Sequence, residues 1–259
     1  MTTMFQDKPA DFPQLGLGGK PVKPITQVLL DRRATSHFED GPVPDEYLEA
    51  ILQFAAQAPS GYNLQPWRFL VVREKANRER LQKAAYNQEK VAEAPVMITA
   101  FAIRDDWKNY LDIVFQEGVR RGYGKPEAIP ELKQQVINFL DKGIPQPVWL
   151  NRHTMIAVTA MMLVAEAYGL DTAPMEGFDP QAVAREFKLP VNAEVVALLA
   201  IGFAKPPDKP YGGRFALKEI VHAEEFGRPW NIHGNNRHQT AEDITEKIER
   251  KSSERLQPA

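Results

Sequence analysis

Residues 42–72 read PVPDEYLEAILQFAAQAPSGYNLQPWRFLVV, and the fold turns on how this stretch is divided. Leu48, Ile51, Leu52 and Ala55 recur at i, i+3, i+4 and i+7, which predicts an amphipathic helix over Asp45 to Ala58. Asp45 and Glu46 sit where the helix dipole favours negative charge, and Pro59 ends the helix. Residues 59–66 (PSGYNLQP) are turn-formers. Phe69 to Val72 is an apolar run of strand length. The unit is therefore helix, polar turn, strand.

Outward from it, residues 25–31 predict a short helix and 75–84 another. Val96 to Ala102 reads as a second strand and Glu194 to Phe203 as a third. Residues 105–142 read as mostly helical, broken by Gly122, Gly124, Pro126 and Pro130. Val148 to Tyr168 predicts a long helix, apolar enough to be buried all round or to sit at a subunit interface, with Gly169 as its C′ residue. Residues 174–179 (PMEGFD) predict a turn, followed by a short helix from Asp179 or Pro180 to Lys188. Helices and strands mix without βαβ alternation, which favours α+β over a doubly wound sheet. No G-x-G-x-x-G follows a strand, which argues against a Rossmann dinucleotide site. The expected organisation is an arm over 1–24, one domain over 25–239 and a charged tail over 240–259.

Thirty-two basic and 34 acidic side chains leave a net charge of −2 in 259 residues, without the basic surplus of a nucleic-acid binder. The chain has no Cys, which removes disulfides, thiolate metal sites and Cys nucleophiles. The most apolar stretch, Met155 to Ala165, is far shorter than the roughly 20 residues a bilayer requires. The N-terminus lacks a cationic start followed by an apolar run. The expectation is a soluble, cytoplasmic protein that engages neither nucleic acid nor membrane.

Two constellations stand out chemically. In Arg32-Arg33-Ala34-Thr35-Ser36-His37-Phe38, adjacent guanidinium forks suit a phosphate dianion. Alternatively, the segment is a solvated charged turn balanced by Asp31, Glu39 and Asp40. In Pro59-Ser60-Gly61-Tyr62-Asn63-Leu64-Gln65-Pro66-Trp67, Gly61 permits close backbone approach, and Asn63 and Gln65 each offer a donor and an acceptor to a heterocycle edge. Gly16, Gly18, Gly19 and Lys20 lack phosphate-loop spacing. His233 and His238 have no clustered carboxylates to complete a metal site, so no metal is expected. Asp105 and Asp106 suit a helix N-terminus, and Met155, Met161 and Met162 suit core packing.

RRATSHF, the APSGYNLQPWRF block, YNQEKVAEAPVMI, PMEGFD and a late Arg214 stand in an order and spacing that resemble the FMN-dependent nitroreductase family from about residue 26 to 221. The resemblance implies an α+β fold with a central, mainly antiparallel sheet surrounded by helices. It implies an intertwined homodimer with two flavin sites at the subunit interface. It also implies non-covalent FMN, reduction by NADH or NADPH, and ping-pong transfer to a small aromatic electron acceptor such as a nitroaromatic or quinone. Carried over by position, Arg32, Arg33 and Arg214 hold the phosphate, Ala34 gives backbone contacts, and Ser36 lies by the ring or ribityl chain. Pro59, Ser60, Gly61 and Asn63 reach the flavin from the partner subunit. Asn87 and Lys90 flank the pyrimidine edge, and Met175, Glu176 and Gly177 form the turn beside the ring.

Two positions depart from the family pattern. Ala34 stands where a Ser is common, losing a hydrogen bond worth roughly 0.5–1.5 kcal/mol. Ser36 stands where an Arg or Lys is common, which leaves Lys90 to supply the positive charge at the ring. No side-chain acid, base or nucleophile is required, so no catalytic residue is assigned. The resemblance places a variable lid near 105–142, where Trp107, Tyr110, Phe115, Tyr123 and Phe139 are candidates to cover the ring. The same fold with dehalogenase, enone reductase or flavin-fragmenting chemistry, or a non-enzymatic flavin carrier, are the alternatives.

Overall fold

A computed structural model of the chain describes Phe5, Lys8, Pro9 and residues 11–230. It contains two compact units, Met1–Pro210 and Tyr211–Ala259. The first is built on a four-stranded antiparallel sheet of β1 (Trp67–Val72), β2 (Val96–Ile103), β3 (Asp171–Met175) and β4 (Ala193–Gly202), in the order β1-β2-β4-β3. The central strands VMITAFAI and AEVVALLAIG are almost continuously apolar because both faces of the sheet are covered.

Alternate residues serve the two faces, as the two-residue period of a strand requires. Val96, Ile98, Ala100, Leu199 and Ile201 face α2 (Asp45–Ala55) and α7 (Gln146–Tyr168), where Ile51, Val158 and Met161 are fully or almost fully buried. Met97, Leu198 and Ala200 face the opposite layer. There α3 (Lys75–Ala84), α4 (Glu89–Glu93) and α8 (Pro180–Glu186) contribute Leu81, Val91 and Val183. A third cluster joins Leu64 to α5 (Trp107–Arg120), α6 (Ile129–Asn138) and the start of α7 through Trp107, Val136 and Trp149. The helix α1 (Ile25–Asp31) is tied to α7 by Lys23, whose Nζ reaches Glu166 at 2.5 Å and Asp31 at 3.0 Å.

The α+β class is as the sequence pattern predicts and the antiparallel sheet as the family resemblance implies, but one strand differs. Pro174 and Met175 do not belong to a turn; they close β3, which begins at Asp171. The strand is five residues long and carries a proline, which an edge position tolerates because one side of the strand needs no ladder donor. Nor is α7 buried all round within the chain. Met161 and Ala165 face the core, whereas Val148 and Ile156 are about 40% exposed on the other side. This is the one described helix long and apolar enough to cross a membrane, and its packing against the sheet and α2 accounts for that composition. Met161 is buried and Met155 and Met162 pack against the same core.

The second unit is described over residues 211–230, with a one-turn helix α9 (Leu217–Ile220) and exposed Phe215, Phe226 and Trp230. The expected tail over 240–259 and the pair His233 and His238 lie outside the described residues.

On α5, the Glu117 carboxylate lies between Arg120 and Arg121, each 2.5 Å from Oε1. These partners, Arg120 foremost, lower its pKa from 4.5 to about 2. A carboxyl depressed on folding adds stability above its unfolded pKa and loses it as pH falls towards the folded value. Denaturant unfolding of the chain and of Glu117→Gln should therefore converge as pH is lowered from about 5 to about 2. A stability difference that stays constant over this range would contradict the pairing.

Candidate functional site

Backbone pairing brings the arginine segment to the sheet. Ala34 forms a parallel bridge with Thr172, and the Thr35 N–H donates to the Thr172 carbonyl at 3.0 Å. Phe38, two residues beyond Ser36, is buried against Ala173 and Met175. Gly202 makes room for it, since a Cβ there would stand 2.9 Å from the Phe38 ring. Glu93 holds the same segment from α4, accepting from the Phe38 N–H at 3.1 Å and lying 3.2 Å from His37 Nδ1. His37, Glu89 and Glu93 thus form a surface cluster.

The 84–90 segment meets the turn after β3. Gln88 Nε2 donates to the Gly177 carbonyl at 2.6 Å, and the Asp179 N–H donates to the Ala84 carbonyl at 2.8 Å. The segments 32–36, 87–90 and 175–177, which carry Arg32, Arg33, Ala34, Ser36, Asn87, Lys90, Met175, Glu176 and Gly177, therefore meet along the β3 edge. Met175 is buried, while Glu176 and Gly177 are exposed.

Pro59, Ser60, Gly61 and Asn63 are elsewhere. They precede β1, at the opposite edge of the sheet, three strand spacings or roughly 14 Å from β3. The Ser60 Oγ accepts from the Gln65 N–H at 2.9 Å, and a Cβ on Gly61 would stand 3.3 Å from Trp149 Nε1 and 3.4 Å from His153 Nε2. Gly61 is thus where this loop comes close to α7. Arg214 lies in the second unit, where its guanidinium sits 5.6 Å from the Tyr211 ring.

The β3-edge group suits an anionic, polyhydroxylated ligand. Arg32 and Lys90 make no ion pair among the described residues. Arg33 is more committed, donating to the carbonyls of Leu30 at 2.5 Å and Arg32 at 3.0 Å. The side-chain oxygens of Thr35, Ser36 and Thr172 are buried without a hydrogen-bond partner. Unsatisfied hydroxyls of this kind cost free energy unless something fills them. Asp171 is also half-buried there; burial pushes its carboxyl up, against the Ala204 N–H that donates to it at 2.8 Å. These residues fit a flavin mononucleotide, with its phosphate, ribityl hydroxyls and heterocycle edge.

Both candidate loops carry a Tyr-Asn pair in the left-handed region: Tyr62 and Asn63 at φ 55° and 58°, Tyr86 and Asn87 at φ 54° and 58°. Asn tolerates this conformation and Tyr does not, so strain is stored beside both sets of residues. Sequence reading singled out neither pair for its backbone, although the repeated YN dipeptide was visible. It also missed Gln88 and Glu93, whose partners lie 89 and 55 residues away. Asp106 occupies the N-cap position of α5, but its carboxylate takes Arg68 at 2.7 Å instead of the helix N–H groups, because a guanidinium is the stronger partner.

Among the lid aromatics, Trp107 is buried and Tyr110 lies under Arg68. Phe139 is 39% exposed and meets Tyr62 edge to face, with centroids 6.2 Å apart, so it is the one of the five with a ring contact to the 59–63 loop. A cavity of about 890 Å³ lies between the 63–65 loop, α2 and α5, lined by Gln57, Gln65, Arg68 and Tyr110. Asn63 is the only assigned residue on its wall.

Comparison with known proteins identifies the family and the fold. A family model described as the nitroreductase family matches residues 29–203. A Thermus thermophilus protein named NADH dehydrogenase is 35% identical over 202 residues, covering 78% of this chain and 96% of its own. A Bacillus subtilis protein named as an NAD(P)H nitroreductase, YdgI, is 32% identical over 69% of this chain and 87% of its own. A crystal structure from Exiguobacterium sibiricum that holds FMN superposes with a TM-score of 0.68 at 24% identity, over 78% of this chain and 98% of the other.

Glu93→Ala should lower the unfolding free energy by about 1–3 kcal/mol, because it leaves the Phe38 N–H without an acceptor. Glu93→Gln keeps an acceptor oxygen and should cost clearly less. Equal losses in urea titrations of the two variants would contradict this anchoring of the arginine segment.

Proposed function

The chain belongs to the nitroreductase family, and from that premise we propose that it is an FMN-dependent NAD(P)H oxidoreductase reducing nitroaromatics or quinones. The observation that carries the reading is the gathering of the segments 32–36, 87–90 and 175–177 on one sheet edge, with two cations and three hydroxyls that have no partner among the described residues. When bound, FMN supplies the two-electron redox chemistry between the nicotinamide and the acceptor.

The chain's own residues bind and orient. Arg32 is the freer of the two guanidiniums and is the main phosphate handle, with Arg33 beside it and Arg214 assigned to the same group by position. Ala34 contributes backbone and Ser36 its hydroxyl to the ribityl side. Asn87 offers both a donor and an acceptor to the pyrimidine edge, and Lys90 places positive charge there. Met175 gives an apolar wall, and the exposed backbone at Glu176 and Gly177 lines the ring.

Pro59, Ser60, Gly61 and Asn63 sit at the far edge and complete a site only when supplied by a second copy of the chain. This supports a homodimer with shared sites. The exposed apolar residues Ile25, Leu29 and Leu30 of α1 and Val148 and Ile156 of α7 are surfaces such a partner would cover. With the loop comes Phe139, and the Tyr62–Phe139 pair would form a flat wall for a planar acceptor.

Purified chain should take up FMN and turn yellow. Its visible absorbance should bleach on anaerobic addition of NADH or NADPH and return with nitrofurazone or menadione. A chain that binds no FMN would overturn the reading. Arg32→Ala should weaken FMN binding about 10- to 150-fold, as loss of one charged contact predicts, with an unchanged circular dichroism spectrum. Equal affinity in the two proteins would contradict the phosphate assignment.

A further inference from the structure

The segment that carries the phosphate arginines also faces, at Ser36, an anion from its own chain. Asp208 lies half-buried in the loop after β4. Its Oδ1 accepts from the Ser36 N–H at 3.2 Å and from the Lys209 N–H at 2.7 Å. This position is set by backbone contacts as well as by the side chain. The Lys205 N–H donates to the His37 carbonyl at 2.9 Å, the Glu39 N–H to the Phe203 carbonyl at 2.8 Å, and the Ala204 N–H to Asp171 at 2.8 Å. The 203–208 loop is thereby laced along residues 36–39.

The Thr35 N–H points at Thr172 on β3. The Ser36 N–H, at the bend that follows, turns instead to the Asp208 carboxylate. Asp208 makes no ion pair among the described residues, and neither does Arg32, four residues before Ser36. Asp171 stands close enough to Asp208 for the two to repel. A carboxylate oxygen on a backbone N–H is the same kind of contact as a phosphoryl oxygen on one.

We propose that Asp208 is an internal anion that sets how tightly the phosphorylated flavin is kept, holding the Ser36 N–H on the ribityl side, a few residues along the chain from the phosphate arginines, and repelling the dianion. The proposal rests on the FMN reading above. It predicts a charge effect that depends on the phosphate, since riboflavin has the same ring and ribityl chain without the dianion.

The test is titration of the flavin-stripped full chain with FMN and with riboflavin, followed by flavin fluorescence, for the parent and Asp208→Asn. The Asn variant keeps an acceptor oxygen at nearly the same place and removes only the charge. It should bind FMN about tenfold more tightly and riboflavin within about twofold of the parent. Asp208→Ser provides a second uncharged variant and should shift FMN in the same direction. FMN affinity unchanged or weakened in both variants would overturn the proposal, since Asp208 would then only organise the loop. Equal tightening of both flavins would overturn it too, by pointing to pocket shape rather than charge. Failure of the parent to bind either flavin would instead overturn the FMN reading, and the proposal with it.

Discussion

The short parallel contact between Ala34–Thr35 and Thr172 is the interaction on which the rest depends. Without it, two adjacent arginines would be a solvated turn, the commonplace alternative for such a pair. With it, the 32–36 segment and the exposed turn at Glu176–Gly177 share one edge of the sheet. The reinforcements are all aimed at the same place. Glu93 takes the Phe38 N–H, Gly202 leaves space for the Phe38 ring, and Gln88 ties the 84–90 segment to Gly177. On the proposed reading, an edge held this way is preorganised, so little ordering entropy remains to be spent when the flavin arrives.

The second constraint is distance across the sheet. The strand order puts β1 and β3 on opposite edges, and the residues the family resemblance assigns to one cofactor are split between them. A single chain cannot fold its 59–63 loop back across three strand spacings, because that loop is packed on Trp149 and His153 of α7. On the proposed reading, the split is resolved by association. That also gives a use to the apolar side chains α1 and α7 leave exposed, and to the strain held at Tyr62 beside Gly61.

What was legible in the sequence was whatever repeats locally. The helical period of α2 and the apolar runs of β2 and β4 announced themselves, because burial of one face or two leaves a periodic trace. The edge strand β3 did not, since five residues containing a proline look like a turn until a neighbouring strand pairs with them. The ends of α2 and β1 moved by two or three residues, to Ala55 and Trp67. The candidate site was legible as motifs rather than as geometry: each block could be read, but not which blocks meet. Contacts such as Asp208 to Ser36, 172 residues apart, leave no local signal at all. The left-handed Tyr86 and Asn87 were invisible for another reason, because only Asn hints at such a backbone and Tyr argues against it.

The most direct measurement is a crystal structure of the chain grown with FMN. The account predicts the phosphate against Arg32 and Arg33. It predicts the ring between the Met175–Gly177 turn of one copy and the Pro59–Asn63 loop of another. A flavin lodged instead in the cavity lined by Gln57, Arg68 and Tyr110, or contacted by residues of one copy alone, would contradict it.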